Sequence, residues 1–395
     1  MRQFDIAVVG AGLAGSLAAL ALAESGRSVA LIAPPARAGD GRTTALMDQS
    51  IAFLRTLGLW DRVAPHAAAL ETMQILDGTN RLLRAPPVAF RAGEVGLDAF
   101  GYNIPNAPFL SVLDGSIAAN DAIVRIENGV TAATSVELVL DDGERVTAGL
   151  VVGADGRKSK VRDSAGIAVK SWSYPQAALV LNFAHDRPHG HVSTEFHTES
   201  GPFTQVPLPG NRSSLVWVMP PKEAARLAQL PVADLSRLVE ARMQSLLGKV
   251  SVENGAQTFP LSGMTAEHFG KGRIVLIGEA THAFPPIGAQ GLNLSLRDIM
   301  ALREILAGAD QKSIGERFDR KRQADVRSRT LSVDLLNRSL LSDFLPVQFL
   351  RSAGLHLLSA LGPLRGIVMR EGIEPLGSLK AFRESLRERV TRKQA

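Results

Sequence analysis

Cysteine is absent from all 395 residues. Disulfides, thiolate nucleophiles and cysteine-ligated metals are thereby excluded, and the absence fits a reducing compartment. No stretch approaches the ~20 uninterrupted apolar residues that a membrane-spanning helix needs. The start, MRQFDIAVVGAG, carries one arginine and runs straight into a strand pattern, so no secretory leader is expected. Long charge runs are also missing. The net charge is +5, from 44 basic and 39 acidic residues, and the last eighteen residues alone (SLKAFRESLRERVTRKQA) contribute six basic and two acidic side chains. The rest is nearly neutral, which excludes a basic groove for nucleic acid. The eight histidines include one HxxxH spacing, His185 to His189 across a proline (HDRPH), and one HxH, His189 and His191; these sit in a turn-rich region, and His189 and His191 read as solvated rather than metal-binding. No metal site is expected.

What is present is a pattern of strands and glycine turns. FDIAVV (4–9) reads as a buried strand, GAGLAG as a turn, SLAALALAES as a helix stopped by Gly26, and SVALIA (28–33) as a second, parallel strand. TALMDQSIAFLRTLGLW (44–60) reads as a helix ending near Gly58. From Thr72 the texture changes to short alternating strands, TMQILDG, HVSTEFHT, FTQVPL and SSLVWVM, expected to form an antiparallel sheet with a buried face. VADLSRLVEARMQSLLG reads as a helix with Leu235, Leu238, Val239 and Leu246 near one stripe. The fold expected is α/β: a Rossmann-like parallel-sheet domain (1–71, 104–170 and 263–330) interleaved with an antiparallel-sheet domain (72–103 and 171–262). A leucine-rich helical region (331–395) follows.

Three glycine turns carry the chemistry. Gly10-Ala11-Gly12-Leu13-Ala14-Gly15 lies between strand and helix, the context in which GxGxxG binds a dinucleotide. Gly10 permits the turn, Gly12 lets the backbone approach a pyrophosphate, and Gly15 lets helix pack on sheet. The acid that usually ends the second strand is missing; Ile32-Ala33-Pro34-Pro35 stands there, with Arg37 beyond, so an arginine-held 2′-phosphate stays open. The second turn is Gly153-Ala154-Asp155-Gly156-Arg157. The third is GRIVLIGEATHAFPPIGAQGLNLSLRD (272–298), again strand, glycine-acid turn, glycine-rich loop and helix.

In this order the three turns resemble the group A flavoprotein aromatic hydroxylases, the family of para-hydroxybenzoate hydroxylase. A closer resemblance, to the ubiquinone-biosynthesis FAD hydroxylases of the UbiH type, rests on Arg42-Thr43-Thr44-Ala45-Leu46, Gly101-Tyr102-Asn103-Ile104-Pro105-Asn106 and Pro286-Ile287-Gly288-Ala289-Gln290-Gly291-Leu292-Asn293-Leu294. It covers nearly the full chain. Glu279 stands where the wider family has aspartate.

The resemblance implies FAD bound by Gly10 to Gly15, with Arg42 beside it, the ribityl chain near Asp155-Gly156 and Gly278-Glu279, and the isoalloxazine against Pro286, Gly288, Ala289, Gln290, Gly291, Leu292 and Asn293. Pro286, Gly288 and Gly291 would shape the oxygen-activation loop. It also implies a transient NAD(P)H donor. Oxygen would pass, as the C4a-hydroperoxide, to the ring of a polyprenylated phenol. His282 is expected to be structural. The leucine-rich region and the cationic tail, with Leu379, Phe382, Leu386 and Val390 near helical spacing, suggest a cytoplasmic protein peripheral to the inner face of the membrane, and membership of a ubiquinone-biosynthesis complex. Two alternatives stand: a hydroxylase of a small soluble aromatic, and a non-catalytic FAD-binding subunit. With only Tyr102 and Tyr174 in the chain, a tyrosine clamp for a substrate carboxylate is not evident.

Overall fold

A computed structural model describes residues 2–35, 41–79, 86–198, 200–285, 290–308 and 313–341. Strands Ile123–Ile126, Val29–Ile32, Arg2–Val9, Arg145–Gly153 and Ile274–Leu276 lie side by side in that order, all parallel. Gly270–Lys271 pairs antiparallel at the far edge. The runs IAVV, VALI and LVVG are buried at every position, as a sheet covered on both faces requires. The helix Leu13–Ala23 is buried from Gly15 to its end. Its sequence is apolar all round because the sheet, the helix Asn106–Ala118 and the helix Gln290–Ala307 all pack against it.

A second sheet is ordered His282–Ala283, Val250–Ala266, Val169–His185, Arg212–Met219, Gly201–Leu208, Val192–Thr198, Thr72–Asp77 and Val88–Arg91. Its pairs are antiparallel except Val192–Thr198 with Thr72–Asp77. Alternation gives it two faces. Leu179, Leu181, Phe183, Phe203 and Leu215 bury one face beneath the helices Pro221–Ala228 and Val232–Arg242, through Leu227, Leu235 and Val239. Leu235 and Val239 thus form the buried stripe of the second helix, whereas Leu238 and Leu246 are exposed.

The opposite face meets residues 41–43 and the strand Gly101–Pro105, at a separate three-stranded sheet, and polar contacts fix it there. Asn182 Nδ2 donates to Gly41 O at 2.9 Å, Thr43 Oγ1 to Ser214 Oγ at 3.2 Å, and Asn103 Nδ2 to Pro207 O at 2.9 Å and Ser214 Oγ at 3.2 Å.

One element departs from the sequence reading. The helix expected over 44–60 begins at Asp48 and ends at Thr56, and Thr43–Met47 is a strand paired with Gly101–Pro105. The β-branched Thr43 and Thr44 favour that strand, and Gly101 permits it: a Cβ there would lie 2.1 Å from Leu46 O. Asn103, 1% exposed, belongs to this small sheet. Asn103→Ala removes two bonds between the sheets and leaves the Pro207 carbonyl unpaired, so a loss of about 1–3 kcal/mol is expected in urea unfolding. An unchanged midpoint would count against these contacts as the joint between the sheets.

Candidate active site

The carboxyl ends of the parallel strands form one row: Ile126 pairs with Ile32, Ile32 with Val9, Val9 with Gly153, and Gly153 with Leu276. The strand order reverses at Arg2–Val9, with the next strand in sequence on one side and later strands on the other. Crevices at such reversals hold ligands in open α/β sheets. All three glycine turns leave this row. Gly10 N donates to Ile32 O at 2.8 Å, Ala154 N to Val9 O at 2.8 Å, and Ile277 N to Gly153 O at 2.9 Å.

The glycines of the first turn have different tasks. Gly10, at φ 106°, lies so close to the second turn that a Cβ would stand 2.4 Å from Ala154 O; at Gly15 it would stand 1.8 Å from Gly10 O. At Gly12 it would meet nothing within 4 Å. The helix that starts there has neither a side-chain cap nor an acid in its first turn. Its positive end and unbonded amides, flanking Ala11, Leu13 and Ala14, face open space, a fit for a pyrophosphate. Gly278 joins the third turn to the first: at φ 60°, its Cβ would lie 3.3 Å from Ala14 Cβ and 3.0 Å from Ser295 Oγ.

Asp155 is half engaged. Its Oδ2 accepts from Lys160 N at 2.6 Å and Val161 N at 3.2 Å, capping the helix Lys160–Ser164 after the Gly156 turn. Its Oδ1 is buried without a hydrogen-bond partner among the described residues, a deficit that a ligand hydroxyl could meet. Glu279 is exposed, with its carboxylate 3.7 Å from Arg157, whose Nη1 donates to Ser262 Oγ of the second sheet at 2.7 Å. The Arg42 guanidinium stands 5.7 Å from the centre of the Phe259 ring.

Asn293 Oδ1 accepts from Met47 N at 2.9 Å and Ser50 Oγ at 2.6 Å, and its Nδ2 donates to Ala45 O at 2.8 Å. The carboxamide thus ties the helix Gln290–Ala307 to the strand that follows Arg42. Leu292 packs half-buried on the core, and at Gly291, in the first turn of that helix, a Cβ would meet nothing within 4 Å among the described residues. Pro286, Gly288, Ala289 and Arg37 lie outside the described residues, as does the tail from 342.

The sequence reading missed the group that holds the third turn. Asp298, fully buried, accepts from Gly278 N at 3.1 Å, His282 Nε2 at 2.8 Å and Arg322 Nε at 2.8 Å. Burial alone would raise its carboxyl, but the charges and hydrogen bonds of His282 and Arg322 outweigh that and hold it below the usual carboxylate value. One signal was available: Asp298 occupies the helical slot between Leu294 and Leu302 on the buried stripe. His282, 2% exposed and stacked on Phe284, serves this turn, in keeping with a structural role. Among the described residues, no cluster of histidines and carboxylates could hold a metal.

Comparison with known proteins agrees with this geometry. A family model described as an FAD binding domain matches residues 3–103 and 118–324. The ubiquinone hydroxylase UbiL of Rhodospirillum rubrum is 32% identical, over 95% of this chain and 90% of its own. The 3-demethoxyubiquinol 3-hydroxylase of Escherichia coli is 31% identical, over 91% of this chain and 96% of its own. Among solved structures, p-nitrophenol 4-monooxygenase PnpA of Pseudomonas putida shares the fold at a TM-score of 0.77 and 19% identity, covering 96% of this chain and 99% of that one. The chain belongs to the FAD-dependent monooxygenase family defined by that binding domain. Its cofactor is FAD.

Two outcomes follow from the site. Gly12→Asp sets bulk and charge where the amides are open, and the purified variant should be colourless; full yellow flavin absorbance would refute the pyrophosphate position. Asp298→Ala, which leaves Arg322 and the Gly278 amide without their shared acceptor, should cost about 3–5 kcal/mol in denaturant unfolding at pH 7. Because the folded carboxyl ionises below its unfolded value, its stabilisation is complete above about pH 4 and fades as pH falls through the folded value. The cost of Asp298→Ala should therefore shrink in acid, and a constant cost down to pH 3 would contradict it.

Proposed function

We infer that this chain hydroxylates the aromatic ring of a polyprenylated phenol in ubiquinone biosynthesis. The observation that carries the reading is near-full-length similarity, above 30%, to two hydroxylases whose names place them on ubiquinone or its precursors. FAD supplies the oxygen-activating chemistry when bound, after reduction by a transient NAD(P)H donor. In this reading the amides of Gly12 to Gly15 hold the pyrophosphate, and Asp155 Oδ1 and Glu279 meet the ribityl hydroxyls. Arg42 adds positive charge beside the cofactor. The segment from Pro286 through Gly288, Ala289, Gln290 and Gly291 to Asn293 borders the isoalloxazine. The N-terminus of the helix Gln290–Ala307, without an acid in its first turn, favours negative charge on the pyrimidine edge.

The substrate side supports a neutral, apolar ligand over a small aromatic acid. The sheet face toward the cofactor turns carries Val180, Val206, Val216 and Val218. Arg212 on that face is not free to clamp a carboxylate: its Nε and Nη2 each donate to Glu253 at 2.7 Å, which raises the Arg212 guanidinium and lowers the Glu253 carboxyl. Among the described residues no helix is long and apolar enough to cross a membrane. Access to a membrane-borne substrate would then fall to the leucine-rich segment and cationic tail, by peripheral contact or within a biosynthetic complex.

Lipid analysis of a deletion strain tests the function. A prenylated precursor lacking one ring hydroxyl should accumulate, and the wild-type gene, not the Gly12→Asp variant, should clear it. Normal ubiquinone with no precursor would refute the assignment.

A further inference from the structure

One titratable cluster on the substrate-side wall is required neither by the cofactor turns nor by the core. His197 Nε2 lies 2.8 Å from Glu195 Oε1, and Thr204 Oγ1 donates to Glu195 Oε2 at 3.2 Å. Their neighbours in the alternation, Phe196 and Phe203, are buried beneath the helices, so the cluster projects from the opposite face. Register carries it toward the cofactor side. Thr204 pairs with Val216 and Glu195 with Thr204, while Ser214, two residues from Val216, meets Thr43 and Asn103. At a strand spacing of ~4.8 Å and ~3.3 Å per residue, Glu195 stands about 12 Å and His197 about 16 Å along this face from Ser214. Ile75 and Val206 flank it on the same face. Two further carboxylates on this wall among the described residues are Glu253, paired with Arg212, and Asp77, paired in register with His197; the Asp77 Oδ1 accepts from the backbone N and Oγ1 of Thr79.

A carboxylate only accepts, so the imidazole proton lies on Nε2 and the lone pair on Nδ1. A base held in one tautomer by a carboxylate is the arrangement that proton-abstracting histidines use. The His197 side chain is 13% exposed, enclosed yet reachable. We propose that His197 removes the phenolic proton of the substrate, with Glu195 as the residue that positions it. The substrate O–H bond breaks, an Nδ1–H bond forms, and the electron pair stays on the phenolic oxygen. The imidazolium is then paired with Glu195, and no oxidant is consumed. A phenolate donates electron density to its ring carbons far better than a phenol, and a phenol that ionises near pH 10 is about one part in a thousand phenolate at neutrality. The inference rests on the proposed function, which makes the substrate a phenol.

The test uses the FAD-loaded enzyme and its His197→Asn and Glu195→Gln variants. One substrate is 2-prenylphenol with a single isoprene unit, dispersed in detergent; the other is its ring-fluorinated analogue, which ionises near neutrality. With 2-prenylphenol, His197→Asn should lower the hydroxylation kcat about 100-fold at pH 7, with KM and flavin content little changed. The loss should close as pH approaches 10, and it should nearly vanish with the fluorinated phenol. Glu195→Gln should fall between. A wild-type rate for His197→Asn on 2-prenylphenol would overturn the assignment. So would an equal loss on both phenols at every pH, which marks a merely structural residue. If the wild-type enzyme hydroxylates neither phenol, the proposed function fails and this inference with it; an active wild type with an unaffected variant sinks the inference alone.

Discussion

Everything at the crevice depends on a contact made possible by a missing side chain. Gly10 lies against the Ala154 carbonyl where a Cβ would overlap it, and the Ala154 amide bonds back to Val9. Each turn is the other's wall, so neither can move alone. Gly15 repeats the device against the Gly10 carbonyl, which draws the helix onto the sheet and aims its amino end over the strand row. Hard-core repulsion is steep, and backbone cannot swing aside as a long side chain can. These two glycines are therefore structural. Gly12, where a Cβ would meet nothing within 4 Å among the described residues, is the one proposed for the ligand.

The second sheet separates stability from chemistry by its two faces. Phe183, Phe203 and Leu215 bury one side beneath helices and lock the strands. The other side can then carry Glu195, His197 and Thr204 at the cost of little core packing. Bonds from Asn182 to Gly41, from Thr43 to Ser214 and from Asn103 to Pro207 hold that side against the residues flanking Arg42 and their partner strand. Because Asn293 bonds that same strand, the helix Gln290–Ala307, the Arg42 segment and the substrate wall form one connected frame.

What the sequence revealed follows from the range of the forces involved. The opening strand, turn and helix are written in contiguous residues, and so is the alternation of HVSTEFHT that places Glu195 and His197 on one face. Which face meets the small three-stranded sheet was not legible, since both carry apolar residues and the choice lies in contacts made by Gly41, Thr43 and Asn103. The strand Thr43–Met47 was hidden for a similar reason. Ala45, Leu46 and Met47 are good helix formers, and only the distant partner Gly101–Pro105 overrides them. Asp298 was visible as an acid in an apolar stripe, but His282 and Arg322 come from other elements.

The Asp298 cluster raises the question of why a charged group is buried there at all. Replacing a buried ion pair with well-packed apolar residues is often neutral or stabilising, so stability alone does not explain it. The Gly278 turn does. At φ 60° its amide points into the interior, and a buried N–H without an acceptor is costly. An apolar residue at 298 could fill the space but could not accept that hydrogen. A carboxylate can, and once buried it needs the hydrogen bond from His282 and the Arg322 guanidinium to remain ionised. The geometry of the third turn, and with it the placement of Glu279 at the crevice, therefore dictates a buried charge and its partners on two further elements.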